Sequence, residues 1–348
     1  MVFKLTVACL NVSGKENPYQ YLMIAGLNSF DNIEAFNGVH DRFLGIIRTQ
    51  IKYKPDYLHF DWIQSYYVRK KHWMTLMLFP IFIFQILYVK YFSKTKIVWT
   101  LHNIMPHNVE HIGFNRWVRH LFAKQCEWIR VFSEDSIIRA TQELEINIEK
   151  FIVVPEGDYT SVYTNTITQQ QARNELNLDQ DDKVLLSLGY IKPYKGIENL
   201  IKEFSKIPNK KVQLLIAGQV MDKKYFKNLQ NTINQLKDNR IKLKDIFIPV
   251  ENLQIYYNAA DVVVLPFDKV ENSGSAIMAM GFKKPIIAPN MGVLKKRLQQ
   301  QKSLLYSNLG EGLNKAILLD KNYLMKVGED NFQALKKNKW EDFAKVFS

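Results

Sequence analysis

The feature that most constrains this chain is an alternation, run twice, of short apolar segments rich in β-branched and aromatic residues with longer segments of helical period. In the first half, Phe3–Leu10, Tyr57–Phe60, Ile97–Leu101, Trp128–Phe132 and Phe151–Val154 read as strands, with helices near Tyr19–Ser29, His40–Lys52, Met74–Tyr91 and Asn115–Lys124. A second series places strands at Lys183–Leu188, Val212–Ala217, Lys242–Ile248, Val262–Leu265 and Ile286–Ala288. Its helices fall near Ile197–Lys206, Lys223–Asp238, Leu253–Ala259 and Ser275–Phe282. Strands separated by helices cannot pair as tight hairpins, so they are expected to lie parallel with helices on both faces. The expectation is an α/β protein with two sheets and two cores.

A length of 348 residues agrees, since a compact domain takes roughly 100–200. The polar stretch Pro155–Thr168 separates the two series and suits a linker. The expected division is 1–160, 161–335 and a C-terminal helix over 336–348, whose Trp340, Phe343 and Phe347 share one face and should pack back near the first domain. Cys9 and Cys126, both in apolar segments, can form neither a disulfide framework nor a four-thiolate zinc site, which fits a reducing compartment. The N-terminal VFKLTVACLNVSG alternates like a strand and lacks the basic then apolar pattern of an export signal, so a cytoplasmic location is expected.

Lys and Arg outnumber Asp and Glu 47 to 34, which favours anionic partners. Residues 51–100 concentrate the excess, with eight basic side chains against two acidic ones. The same block holds the most apolar run of the chain, Trp73–Val89, bordered by Arg69, Lys70, Lys71 and Lys90. As a helix it would be about 25 Å long, short of a hydrocarbon core, and Pro80 and Gln85 interrupt it. The leading reading is a buried crossover helix between two parallel strands. The second reading is an interfacial helix resting on an anionic membrane surface through residues 69–96. Asn115–Lys124 could add another basic, aromatic face. No nucleic-acid reader motif accompanies the charge.

Two loops of the second half carry chemistry. In LLSLGYIKPYKGIENLI, Gly189, Lys192, Lys195 and Gly196 lie between a strand and a helix, where free N–H groups and two ammonium groups can hold a diphosphate. In VENSGSAIMAM, Glu271, Asn272, Ser273, Gly274 and Ser275 stand between a buried strand and the next helix, so serine can cap that helix and its N–H groups can meet an anion. Open α/β sheets bind ligands at such strand ends.

GYIKPYKG, LLIAG, IPVENLQIYYNAADVVVLPF and ENSGSAIMAMGFKKPIIAP, in this order, resemble the donor-binding half of glycosyltransferase family 4, enzymes of the GT-B fold with two facing Rossmann-like domains. NPYQYL, YLHFDW and IVWTLHNIMPHN extend the resemblance into the first half. It implies that Lys192 and Lys195 bind the donor diphosphate, that the Ser273–Gly274–Ser275 turn holds the phosphates from the other side, and that Glu271 touches the sugar or its phosphate. A second glutamate common in the family is Ala279 here, which leaves ribose recognition unassigned. The SGS turn resembles a subgroup met in bacterial exopolysaccharide and capsule assembly.

On the acceptor side the resemblance places a histidine at His102, able to take a proton from an acceptor hydroxyl, with Asp61 as a second candidate base. Asn17, Tyr19 and Asn103 are expected near the acceptor, and His59 as a strand residue facing crevice or core. No metal-ligand spacing is present, so metal-independent transfer without a cofactor is expected, the lysines stabilising the departing nucleoside diphosphate. The expected partners are a nucleotide-sugar donor, of UDP or GDP, and a polyprenyl-diphosphate-linked glycan acceptor. A catalytically silent GT-B subunit and a sugar-nucleotide epimerase are the alternatives.

Overall fold

The computed structural model describes residues 4–10, 17–105, 112–268, 270 and 272–347. The chain divides into two compact units, Met1–Gly157 with Asn338–Ser348, and Asp158–Lys337.

The first unit contains β1 (Leu5–Leu10), α1 (Pro18–Leu27), β2 (Ile33–Asn37), α2 (Gly45–Tyr53), β3 (Tyr57–Phe60), α3 (Gln64–Tyr67) and α4 (His72–Phe92). It continues through β4 (Lys96–Thr100), α5 (Ile112–Gln125), β5 (Trp128–Val131), α6 (Glu134–Leu144) and β6 (Phe151–Val153). Its six strands are all parallel in the order β2-β1-β3-β4-β5-β6. The order reverses between β1 and β3, and the register aligns Leu10 with Phe60 and Phe60 with Trp99. Asp61 and His102 thus leave neighbouring strands at one end of the sheet. Strand β2 is absent from the sequence expectation because it is an edge strand whose Ile33 and Ala35 alone are buried, with Glu34 exposed between them.

Helices α2, α4, α5 and α6 share one core with the sheet, through Ile46, Phe82, Ile86, Val89, Val118, Phe122, Ala140 and Leu144. Helix α1 packs instead with a 3₁₀ segment, Trp340–Val346. There Trp340 sits edge-on to Tyr19, Phe343 lies beneath Arg130 and His59, and Phe347 meets Tyr57 and Trp128. The closing residues form 3₁₀ turns rather than the expected α-helix.

Helix α4 departs from the buried crossover expected of it. It does cross between the parallel strands β3 and β4, but it is 21 residues long, about 31 Å, because His72 and Lys90–Phe92 extend it beyond the apolar run. One stripe, Phe82, Gln85, Ile86 and Val89, is buried, while Trp73, Leu76, Met77, Phe84, Tyr91 and Phe92 are exposed. Each buried aliphatic or aromatic side chain contributes about 1.5–3 kcal/mol, which holds the helix on the sheet. Gln85 adds bonds to the carbonyl of Phe43 and the N–H of Ile47.

The second unit contains α7 (Gln169–Leu176), β7 (Lys183–Leu188), α8 (Ile197–Ser205), β8 (Val212–Gly218), α9 (Lys223–Leu236), β9 (Ile241–Asp245) and α10 (Leu253–Ala259). It ends with β10 (Val262–Val264), α11 (Gly274–Gly281), β11 (Ile286–Pro289), α12 (Gly292–Arg297), β12 (Leu305–Tyr306), α13 (Leu309–Leu318) and α14 (Lys321–Lys336). The sheet is again all parallel, in the order β12-β11-β10-β7-β8-β9. Its central strands are nearly continuous apolar runs because helices cover both faces. The order reverses between β7 and β10, where two adjacent connections run in opposite directions and open a crevice at the strand ends.

Candidate active site

In the second unit, the loops after β7 and β10 meet at that switch point. Two glycines make the approach possible. Gly196, at φ +65°, lies so close to the carbonyl of Pro266 that a Cβ would sit 1.9 Å from its oxygen, and a Cβ on Gly218 would sit equally close to the carbonyl of Gly189. Gly196 also starts α8, so the free N–H groups of that helix open onto this loop. The ammonium of Lys195 lies 2.9 Å from the position a Cβ on Gly189 would take, and the hydroxyl of Ser275 3.6 Å from it. Lys192 extends from the same loop, its Nζ 5.2 Å from the Tyr190 ring centre. Neither lysine has an ion pair among the described residues. Burial, then the charge of Lys192, pushes the Lys195 ammonium down to about 8, and burial lowers Lys192.

Ser273 caps α11, its hydroxyl accepting from the N–H of Ala276 at 3.1 Å. Asn272 accepts from the N–H of Ser273, and Arg297 donates to both the Asn272 side chain and the Ser273 carbonyl. This turn is therefore braced from behind, while Gly274 faces open space. Gly189, Lys195, Gly196 and Ser275 come together. Asn272 and Ser273 shape the turn through their own side chains. Ala279 is fully buried in α11, and Glu271 lies outside the described residues.

In the first unit, His102 and Asp61 form one hydrogen-bonded pair, Nε2 to Oδ1 at 2.9 Å. A carboxylate only accepts, so the proton of this bond sits on Nε2, and in the neutral ring Nδ1 carries the lone pair. The Trp62 ring stacks on His102 at 4.4 Å, and Tyr19 and Phe132 meet it from the side. Asp61 is fully buried at the side chain, its carboxylate turned to the imidazole of His102. His59 lies behind it in the core, Nε2 bonded to Thr100 Oγ1 at 2.8 Å and Nδ1 3.9 Å from Asp61 Oδ2. The latter two atoms have no hydrogen-bond partner among the described residues.

The acceptor-side expectations, Asn17, Tyr19 and Asn103, make contacts within the first unit. Asn17 caps α1, accepting from the N–H of Tyr19. Tyr19 is buried, its hydroxyl accepting from Arg130 at 3.4 Å. Asn103 accepts from Arg119 at its main-chain carbonyl, at 2.9 Å. The buried arginines were not anticipated. Arg130 ties the ends of β5 and β6 by donating to the carbonyls of Val154 and Pro155, and the sequence signal for it is a lone cation inside the apolar WIRVF.

Residues 168–322 match the family model described as Glycosyl transferases group 1. The second unit carries a glycosyl transferases group 1 domain. Its switch point, with Lys195 and the turn at Ser273, lies within the matched residues. A GDP-mannose:glycolipid 4-beta-D-mannosyltransferase from Xanthomonas campestris pv. campestris is 26% identical over 262 residues, which are 73% of this chain and 66% of that protein. The match thus spans just under two thirds of that relative's length. Among solved structures, sucrose-phosphate synthase from Thermosynechococcus elongatus aligns over 99% of this chain and 97% of that one, at 17% identity and a TM-score of 0.73. Anabaena HepE, solved with UDP and glucose, aligns over 99% and 98%, at 16% identity and a TM-score of 0.74. The architecture is the GT-B fold. Among the described residues, no group of three His, Cys, Asp or Glu side chains is placed to hold a metal ion.

Upstream of the group 1 domain, the buried His59 sets a pH dependence. Burial pushes its imidazole from 6.5 down to about 4, against the pull of Asp61. The folded unit therefore keeps His59 neutral while the unfolded chain takes up a proton. Its contribution is complete above the unfolded value and is lost as pH falls toward 4. Urea unfolding should show about 2 kcal/mol less stability at about pH 5 than at about pH 7 from this group. His59→Gln should remove that share of the slope, and an unchanged slope would contradict the assignment.

Proposed function

We propose that the chain is a metal-independent glycosyltransferase, family 4-like with an SGS donor turn, that moves a hexosyl group from a UDP- or GDP-sugar to a lipid-carried glycan in surface polysaccharide assembly. The observation that carries this reading is the pair of lysines, without a carboxylate partner among the described residues, at the switch point of the group 1 domain. Two ammonium groups, a helix N-terminus and a glycine-opened backbone together suit a diphosphate. The acceptor class and the first donor to test, GDP-mannose, follow the name of the Xanthomonas relative.

In this reading the acceptor hydroxyl gives its proton to Nδ1 of His102 as its oxygen bonds the anomeric carbon. The bond from that carbon to the diphosphate breaks, and the nucleoside diphosphate leaves with the electron pair. Lys192 and Lys195 stabilise the charge that develops on it. Such a single displacement inverts the anomeric centre. Asp61 is a positioning residue that fixes the His102 tautomer, and Glu271 is assigned to the donor sugar from sequence alone. Donor recognition belongs to Gly189, Gly196, Gly274 and Ser275 as well, with Asn272 and Ser273 holding the turn. The reaction is placed at the cytoplasmic side of the membrane, where a lipid-carried glycan would be met.

Calorimetry with GDP, UDP and their sugar conjugates tests the donor site. One nucleoside diphosphate should bind selectively, and Lys195→Ala should weaken it about tenfold to a hundredfold. Because a bound diphosphate favours the charged ammonium, affinity should fall as pH rises through about 8. Wild-type binding by Lys195→Ala would overturn the site. Asp61→Asn tests the first unit. The expected result is kcat reduced about a hundredfold or more with donor KM within about twofold. Unchanged kcat in a folded variant would remove Asp61 from the mechanism.

A further inference from the structure

We propose that the outward face of the first unit, centred on α4, lies in the interface of an anionic lipid bilayer with the helix parallel to the membrane plane. Trp73, Met77, Phe84, Leu87 and Tyr91 recur at helical spacing, so they line one stripe of α4, about 27 Å long. Trp73 is 58% exposed, Met77 and Phe84 are each 62% exposed and Tyr91 is 72% exposed. A helix apolar on all sides belongs in a core or in lipid, and only the inner stripe of this one has a core. The flanking segments extend the apolar face, with exposed Phe43, in the turn before α2, and Ile51 of α2 beside α4 on one side and Ile112 and Trp117 of α5 on the other. Trp117 touches α4 directly, its ring 5.2 Å from that of Phe79.

Charge identifies the occupant. Exposed Lys70 and Lys71 stand at the start of α4, and exposed Lys90 and Lys94 at its end, with Lys54 of the turn after α2 near Lys94. An anionic bilayer neutralises these groups, whereas a second copy of this chain related by two-fold symmetry would bring the same cations together. Beside the end of α4 a cavity of about 590 Å³ is lined by Lys54, Lys94, Tyr88 and Phe92, and can take a phosphate-bearing headgroup. Asp56 also lines it, but its carboxylate is engaged by Thr6.

The helix is long and apolar enough to cross a membrane, and most of it is not buried in the unit. It lies flat for two reasons. Phe82, Ile86 and Val89 are part of the core of the unit, and a span would pull them out. Cations at both ends reach one headgroup layer only if the helix is parallel to it.

The test is flotation of the purified full chain, without nucleotide, on vesicles of phosphatidylcholine alone and of phosphatidylcholine with an equal part of phosphatidylglycerol. The wild type should float with the mixed vesicles, weakly with the neutral ones, and less as salt rises. Phe84→Glu, Leu76→Glu and the pair Lys70→Glu/Lys71→Glu should each lose at least about tenfold in binding, with melting temperatures near wild type. Leu318→Glu, on an exposed site of the second unit, should bind as wild type. Failure of the wild type to float, or flotation of the glutamate variants at wild-type strength, would overturn the proposal. So would a dimer in sedimentation equilibrium that Phe84→Glu converts to monomer, since the face would then belong to a second copy. The surface stands apart from the donor reading. Vesicle binding with no nucleoside diphosphate binding would sink the function and leave the surface, and the reverse result would do the opposite.

Discussion

Uncompensated positive charge at the end of β7 is the constraint on which the second unit depends. Lys195 is half-buried and loses hydration there, yet among the described residues no carboxylate pairs with it, and a second ammonium lies on the same loop. A fold does not gain stability from such an arrangement. It is tolerated because the surrounding backbone is built to approach it, with Gly196 against Pro266 and Gly218 against Gly189, and because the sheet order reverses at this point and leaves the strand ends open. The turn after β10 completes the setting, its capping serine braced by Arg297 so that Gly274 and Ser275 present backbone and hydroxyl.

The first unit carries the complementary feature, a buried carboxylate between two histidines. Asp61 bonds one of them, His102, and stands 3.9 Å from the other, His59, which burial keeps neutral. The neutral His59 leaves Asp61 to a single strong partner, so the His102 ring is fixed by Asp61 on one edge and by the Trp62 face. The segment at Trp340–Val346, far away in sequence, closes the core beneath this group through Phe343.

Much of this was legible in the sequence. The β-branched runs and helical spacings located ten of the strands, and the parallel sheets followed from the alternation alone. The donor loop was legible because glycine and lysine sit between a strand and a helix. Other features were not. Edge strands β2 and β12 bury too few side chains to show a period, and Asp61 gives no sign in HFDW that it pairs with a residue 41 positions later. Asn17 and Tyr19 were placed near an acceptor by their motif, whereas their side chains cap and fill. The apolar run of α4 was expected to be buried, and composition alone cannot say that only one stripe of such a helix finds a core.

Hydrogen exchange with and without the nucleoside diphosphate selected by calorimetry tests the central claim most directly, because it locates the ligand without relying on activity. Amides of Gly189–Ile197 and Ser273–Ile277 should slow on binding, while those of the sheet's opposite end, around Lys183 and Lys284, should not change. Protection confined to other segments, or none at ligand saturation, would contradict a diphosphate site at the β7 and β10 strand ends.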